Sequence, residues 1–461
     1  MPQPEHQPQH LDGTLLMRDE PRYEQARLDA VWNARKPDRY PDAILLAGSD
    51  DDVVAGVRWA RDNGLKVTVR SGGHSFVGNG VRDGGLLIDL SPLRDTRIDP
   101  AARRVWVRPA VTGPEIDRLA AEHGLYFPTG HAPTVAIGGF ILGGGYGWNS
   151  RTFGPACLSI RAIDVVLPSG QLVHADDENH PDLMWAARGC GPGFFGVVTR
   201  LELELYPRHR RILRTTQTYP MELHDDVVSF LCDLLPATPA AVEMSVKAGY
   251  TPATGQQAVS MTCTAFCTDE TGYDLLAPLE TAPFRGQAIR ASVNTETSMT
   301  ELYALADALT PKGLRWSLDG IWCDPPARQV LAAAAPLVSA MPQDSSFLFW
   351  MLWGHYPERD NACWSVQAPI YLSPNGGWVD PSEDLAHERW VHGSLADIQH
   401  LSRGLQFSDN NLADRPDDGL SPANAARLET IRAVYDPDGL MRGYMTPEES
   451  TTALARSATR R

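Results

Sequence analysis

The pattern of apolar and polar positions becomes regular near residue 43. Ala43-Ile-Leu-Leu-Ala47 is an unbroken apolar run of strand length. Ser49-Asp-Asp-Asp follows, a hydroxyl placed to cap a helix and acids where the helix dipole favours them. Val53, Val54, Val57 and Ala60 then recur at helical spacing, and Gly64 ends the segment. Val67-Thr-Val-Arg70 and Gly84-Gly-Leu-Leu-Ile-Asp-Leu90 predict two further strands, Val105-Trp-Val another, and Pro114 to His123 a helix. This alternation predicts an α/β beginning. Ahead of it, Tyr23 to Asn33 reads as helical, and residues 1–21 as a disordered tail.

Further on, Arg161-Ala-Ile-Asp-Val-Val-Leu-Pro-Ser-Gly-Gln-Leu-Val predicts a hairpin turning at Pro168-Ser-Gly170. Asp182 to Arg188 reads as a short helix. Gly191-Pro-Gly-Phe-Phe-Gly196 matches the dinucleotide pattern G-x-G-x-x-G, but that motif needs a strand before it and a helix after it. Here the helix comes first and the strand-like Val197 to Leu205 second, so a Rossmann fold is excluded. A boundary falls near Tyr206-Pro207. Beyond it, Val227–Leu235, Val259–Phe266, Arg315–Trp322 and Phe347–Trp353 mix helix and strand, Val379–Leu401 reads as one helix, and Ala423–Tyr435 as the last. The aromatics Trp316, Trp322, Trp350, Trp353, Tyr356, Trp364 and Tyr371 read either as ordinary core or as a pocket lining.

The 461 residues suffice for more than one core. A formal net charge of −16 opposes broad binding to nucleic acid or anionic membranes. The polar start lacks the basic and apolar regions of a secretory leader, and no apolar run approaches membrane-spanning length. Cys263 and Cys267 are the one close pair among scattered cysteines, and no second pair completes a zinc site, so no metal is expected. Reduced thiols in a cytoplasmic protein are the expectation. No nucleophile elbow of the G-x-S-x-G type appears, which counts against a hydrolase.

Two stretches carry candidate chemistry. Val67-Thr-Val-Arg-Ser-Gly-Gly-His74-Ser-Phe-Val-Gly-Asn79 ends a strand in paired glycines, which let a loop turn tightly and bring amides close to an anion. Pro128-Thr-Gly-His-Ala-Pro-Thr-Val-Ala-Ile-Gly-Gly-Phe-Ile-Leu-Gly-Gly-Gly-Tyr-Gly-Trp148 is dense in glycine yet apolar, unlike a linker. Such a segment suits a flat or anionic ligand approaching the backbone.

These stretches, with Asp182-Leu-Met-Trp-Ala-Ala-Arg-Gly, Phe195-Gly-Val-Val-Thr and Tyr435-Asp-Pro-Asp-Gly-Leu, occur in one order from about Arg22 to Glu449. Together they resemble the FAD-linked oxidases of the vanillyl-alcohol oxidase and p-cresol methylhydroxylase superfamily, berberine-bridge-enzyme-like branch. The resemblance implies an α+β protein. A FAD-binding domain over 22–206 is completed by a C-terminal segment, 406–461. Between them, residues 207–405 form a substrate domain with an antiparallel sheet over the flavin. It implies a single covalent flavin link through His74. The cofactor cradle would comprise Arg70, Ser71, Gly72, Gly73, Ser75, Asn79, Pro128, Gly130, His131, Thr134, Val135, Gly138, Gly139, Gly143, Gly144, Gly145 and Val198. Tyr146, Tyr371 and Tyr444 are the catalytic candidates it implies.

The chain also departs from the family pattern. Ala132 stands where many relatives carry a second linking cysteine, and Phe407-Ser-Asp-Asn-Asn-Leu-Ala-Asp replaces a Tyr-x-Asn element, removing one expected base. Tyr444 stands where relatives have an asparagine. The implied activity is oxidation of a small organic substrate by hydride transfer from a C–H bond, with a tyrosine taking the accompanying proton and O2 as electron acceptor. A dehydrogenase with another acceptor, an oxidative cyclase or desaturase, and a flavoprotein without turnover are the alternatives.

Overall fold

The computed structural model describes residue 8 and residues 10–251, 255–269, 272–324, 327–356, 359–412, 419–446 and 449. The expected tail after Pro447, most of residues 1–9 and the Ala413-Asp414 end of the Phe407 element lie outside the described residues. The first sheet runs β1 (Thr14–Met17), β2 (Ala43–Leu46), β4 (Leu86–Asp89), β3 (Val67–Arg70). β2, β4 and β3 are parallel. The crossover is α2 (Asp50–Asp62), after α1 (Tyr23–Asp29). The Ser49 side chain accepts from Asp52 N–H, as the capping pattern predicts. Val53, Val57 and Ala60 are fully buried. A Cβ at Gly56 would fall 2.5 Å from Leu45 Cδ2, so its absence sets the helix directly on the sheet.

β1 corrects the reading of residues 1–21 as a tail. Leu15, Leu16 and Met17 add an antiparallel edge strand to β2. A four-residue edge strand carries little pattern of its own, and its partner lies far along the chain. The Asp52 carboxylate accepts from the amides of Asp12, Gly13 and Gly48 and fastens it.

The second sheet is antiparallel, in the order β5 (Thr96–Asp99), β6 (Arg104–Val107), β10 (Val197–Glu204), β8 (Ile160–Val166), β9 (Leu172–Asp176). β8 and β9 form the expected hairpin. α3 (Gly113–Ala121) and α4 (Ile137–Leu142) lie between β6 and β8 in the chain. The helix Pro181–Ala187 precedes Gly191 and β10 follows Gly196, the order that excludes a Rossmann turn. β7 (Leu125–Tyr126) pairs with β11 (Tyr206–Pro207) at the expected boundary.

The third sheet is antiparallel throughout: β15 (Arg290–Thr297), β12 (Arg211–Pro220), β14 (Gln257–Cys267), β13 (Val242–Tyr250), β18 (Phe347–Leu352), β19 (Ile370–Trp378), β16 (Arg315–Leu318), with β17 (Ile321–Cys323) on β19. Its two faces are separated by the period of two. Leu348, Trp350 and Leu352 join Val227, Leu231, Val330 and Leu337 of the covering helices. Met351 and Tyr371 point the other way, into the core shared with the second sheet.

β19 runs as a strand through Pro374, Asn375, Gly376 and Gly377. The glycine is needed there because a Cβ at Gly377 would meet the Trp316 ring at 2.5 Å. The segment 379–401 is not one helix. Asp384–Glu388 and Ser394–Ile398 are joined by a π turn at Arg389–Gly393, while His387 stacks flat on Trp378 at 4.4 Å. Packing of Trp390 and His387 sets that widened turn, which apolar periodicity does not reveal.

After the helix Pro422–Tyr435 the chain returns to the first sheet. Asp436 accepts from the amides of Leu440 and Met441, and Val67 exchanges backbone hydrogen bonds with Leu440 and Arg442.

Candidate active site

A cavity of about 410 Å³ opens at the end of β3, where the chain leaves the sheet at Ser71. Gly73 has φ +71°, and a Cβ there would lie 2.4 Å from Ala30 O. Only glycine fits this turn without strain. Its carbonyl accepts from Trp32 N–H at 2.9 Å. His74 therefore projects from a fixed base. Its ring stacks on Trp32 at 4.8 Å, and Nε2 lies 2.9 Å from Thr134 Oγ1. Burial lowers its pKa to about 4, so the imidazole is neutral at physiological pH. Among the described residues, the amides of Gly72, Gly73, His74 and Ser75 donate to no protein acceptor, and all four residues line the cavity. Asn79 N–H is held by Ser75 Oγ at 3.1 Å. Arg70 lines the cavity, but its guanidinium is engaged by Asp89 and by the carbonyls of Asp29 and Ala30.

The glycine-rich stretch divides its work. Gly130, Val135, Gly138, Gly139 and Gly143 line the cavity, as does Val198 from β10. A Cβ at Gly139 would meet nothing nearer than Ser71 Oγ at 4.0 Å, so this surface is bare toward the open space. Gly144 and Gly145 do not line it. Their carbonyls accept from Cys157 and Ala156, and a Cβ on Gly145 would strike Ala156 at 2.9 Å. These two serve chain packing. Pro128 and Thr134 also stand behind the wall, Thr134 acting through His74. The Ile137 and Gly138 amides at the start of α4 are taken by Val111 and Pro109 carbonyls, so this helix end offers no anion site.

The three tyrosines separate. Tyr146 lines the cavity, and its oxygen accepts from Trp364 Nε1 at 2.8 Å. Burial holds its pKa well above 10, and no cation acts against that, so it is a phenol and not a resting base. Tyr371 and Tyr444 are corrections: neither reaches the cavity. Tyr371 OH donates to Asn410 Oδ1 at 3.0 Å. Tyr444 OH donates to Cys190 O at 2.8 Å, with its ring stacked on Phe407 at 5.2 Å. Both hydroxyls are spent on the protein interior. Of the central aromatics, Trp350 belongs to the outer core, while Trp322, Trp353, Tyr356 and Trp364 surround Tyr146 from behind. They are core and not lining.

Two of the cavity residues that sequence reasoning missed matter for the chemistry. Trp32 follows α1 and gave no periodic signal. Asp409 lies in the Phe407 element, which sequence comparison marked as the loss of a base. Opposite it, His131 packs its edge on Trp148 at 4.3 Å, and Nε2 lies 3.8 Å from Glu243 Oε2 without a hydrogen bond. Among the described residues no group of three or more His, Cys, Asp or Glu could hold a metal ion, and no helix is long and apolar enough to cross a membrane.

Comparison with known proteins places this geometry. Residues 41–176 match the family model described as a FAD binding domain. The FAD-linked oxidoreductase janO of Penicillium janthinellum is 28% identical over 443 residues, covering 95% of this chain and 98% of the relative. Crystal structures of 6-hydroxy-D-nicotine oxidase from Arthrobacter nicotinovorans and of Physcomitrella patens BBE-like 1 share the fold. Their TM-scores are 0.83 and 0.81, at 23% and 17% identity, covering 94% and 95% of this chain and 98% and 97% of theirs. The α+β architecture is theirs also. The chain thus carries a FAD binding domain over residues 41–176 and is similar along nearly its whole length to a FAD-linked oxidoreductase, in a fold shared with these solved structures.

Proposed function

We propose that this oxidoreductase is an oxidase of a small organic substrate, with FAD held by a single covalent bond through His74. The observation that carries the reading is one continuous cavity, which joins the His74 loop and the bare Gly139 surface to Tyr146 and Asp409. The residues present fit the cofactor. Amides of Gly72 to Ser75 are free to meet a diphosphate, and a neutral imidazole is the nucleophilic form needed for attachment. When bound, the flavin supplies hydride acceptance from a substrate C–H bond and reoxidation by O2 to hydrogen peroxide.

The remaining roles belong to the chain. Trp32 and Thr134 fix the imidazole plane. Tyr146, its oxygen already accepting from Trp364, keeps its proton to donate to a substrate oxygen or nitrogen. The aromatic packing behind Tyr146 excludes water and fixes its ring at the cavity wall. The structural neighbour named as an oxidase of 6-hydroxy-D-nicotine supports oxidase chemistry in this fold. The test is anaerobic bleaching of the holoenzyme by a panel of alcohols, sugars, amines and phenols, followed by oxygen uptake and peroxide assay. Bleaching with oxygen uptake is expected; bleaching reversed only by artificial acceptors would replace the oxidase by a dehydrogenase.

A further inference from the structure

The cavity holds a cluster of polar atoms that the protein leaves unsatisfied. His131 Nε2 and Ser408 Oγ are both buried without a hydrogen-bond partner, and both residues line the cavity beside Asp409. Among the described residues no donor hydrogen-bonds the Asp409 carboxylate. Buried polar groups are ordinarily paired, so a cluster left open in a cavity is organised for a ligand.

Asp409 is also held firmly. Its neighbour Asn410 uses both ends of its amide: Nδ2 donates to Asp319 Oδ1 and Gly320 O, and Oδ1 accepts from Gln406 N–H and Tyr371 OH. The Asp409 amide donates to Gln406 O at 3.3 Å. The loop that carries the carboxylate is thus pinned to the turn between β16 and β17, a preorganised placement.

We propose that Asp409 is the catalytic base, accepting the O–H or N–H proton of the substrate carbon that is oxidised. This rests on the oxidase reading above and deepens it, naming alcohols and amines as the substrate class. The C–H hydrogen would leave with its bonding electron pair as hydride, through the two-electron acceptance that a bound flavin would supply. The O–H or N–H bond breaks toward Asp409, and its electrons form the new C=O or C=N bond. The carboxylate ends protonated and the substrate two electrons poorer. Tyr146 is unsuited to this role because it stays protonated, while burial raises Asp409 to a pKa of about 6, basic enough to act and still ionised at neutral pH. The titratable groups facing it are His131 across the cavity and, behind His131, Glu243 of β13.

The experiment compares holoenzyme forms of wild type, Asp409→Asn and Asp409→Glu. A matched panel of alcohols and amines, beginning with benzyl alcohol and benzylamine, is mixed anaerobically across pH 5–9. The wild-type bleaching rate should rise with pH through a midpoint near 6. Asp409→Asn should lose about 100-fold or more and the pH dependence with it, and Asp409→Glu should restore the profile in part. A second readout needs no turnover: in pH-difference infrared spectra of substrate-free enzyme, a carboxylic-acid C=O band should titrate in wild type and vanish in Asp409→Asn. Bleaching by Asp409→Asn within threefold of wild type, an unchanged pH profile, or persistence of the infrared band would overturn the assignment. A wild type that no alcohol or amine bleaches would instead sink the oxidase reading, so the two failures are distinguishable.

Discussion

The indole of Trp32 lies against the imidazole of His74, centroids 4.8 Å apart and planes 25° from parallel. The two residues sit on opposite sides of a single backbone hydrogen bond, Trp32 N–H to Gly73 O. The end of α1 and the glycine loop therefore move as one body. The stack also removes water from one face of the ring, which favours the neutral imidazole and aims its free edge.

Attachment through that imidazole predicts the behaviour of colour on denaturation. Acid-precipitated wild type should stay yellow. His74→Ala should release its flavin to the supernatant or bind less of it, with the fold retained by circular dichroism. Pellets of equal colour from both proteins would place the link elsewhere or show that none exists.

The Gly73 turn predicts a backbone effect separable from the imidazole. Gly73→Ala puts a Cβ 2.4 Å from Ala30 O at a positive φ. The strain should cost roughly 1–3 kcal/mol, seen as a lower thermal midpoint, with reduced flavin occupancy because Trp32 and His74 shift together. An unchanged midpoint would show that the loop relaxes freely.

The sequence exposes the first sheet and the His74 loop because their signals are local. Ser49 caps α2, Gly64 ends it, and β-branched residues lead into Gly72 and Gly73. The same reading misses β1 and β19, whose partners are distant and whose residues lack a period. It names Tyr371 and Tyr444 as site residues because motif position gives no direction. Tyr371 lies on the inner face of β19, yet Asn410 intercepts its hydroxyl before the cavity. Asp409 stays hidden for the converse reason: a carboxylate in a polar loop looks like surface until the fold closes over it.

The separation of the tyrosines is testable by removing single oxygens. Tyr371→Phe deletes one buried hydrogen bond to Asn410 and should cost about 1 kcal/mol of stability, with turnover changed less than about threefold. Tyr146→Phe removes the phenol inside the cavity and leaves Trp364 Nε1 without its acceptor. It should slow anaerobic bleaching by tenfold or more, an order-of-magnitude figure for one lost positioning contact. Equal effects of the two variants would contradict the placement of Tyr371 outside the cavity.

Acid stability offers a prediction independent of the cofactor. His209 is buried near the boundary between the two main cores, with its ring edge-on to Tyr126 at 5.0 Å and to Phe266 at 5.2 Å. Its Nδ1 has no hydrogen-bond partner. Burial, with Arg208 adding to it, lowers its pKa from 6.5 to about 4. Above pH 6.5 the folded and unfolded forms are both neutral there, and the group's contribution to stability is fully present. As pH falls from 6.5 to 4 the unfolded chain binds a proton that the folded chain refuses, so stability drops, by roughly 3 kcal/mol at most. Below 4 both forms are protonated and the slope from this group vanishes. His209→Phe keeps a flat aromatic ring between Tyr126 and Phe266 and removes the titration. Its unfolding free energy, followed by urea melts at pH 7, 6, 5 and 4.5, should decline less steeply than that of wild type by about that amount. Parallel curves for the two proteins would assign the acid sensitivity to other groups.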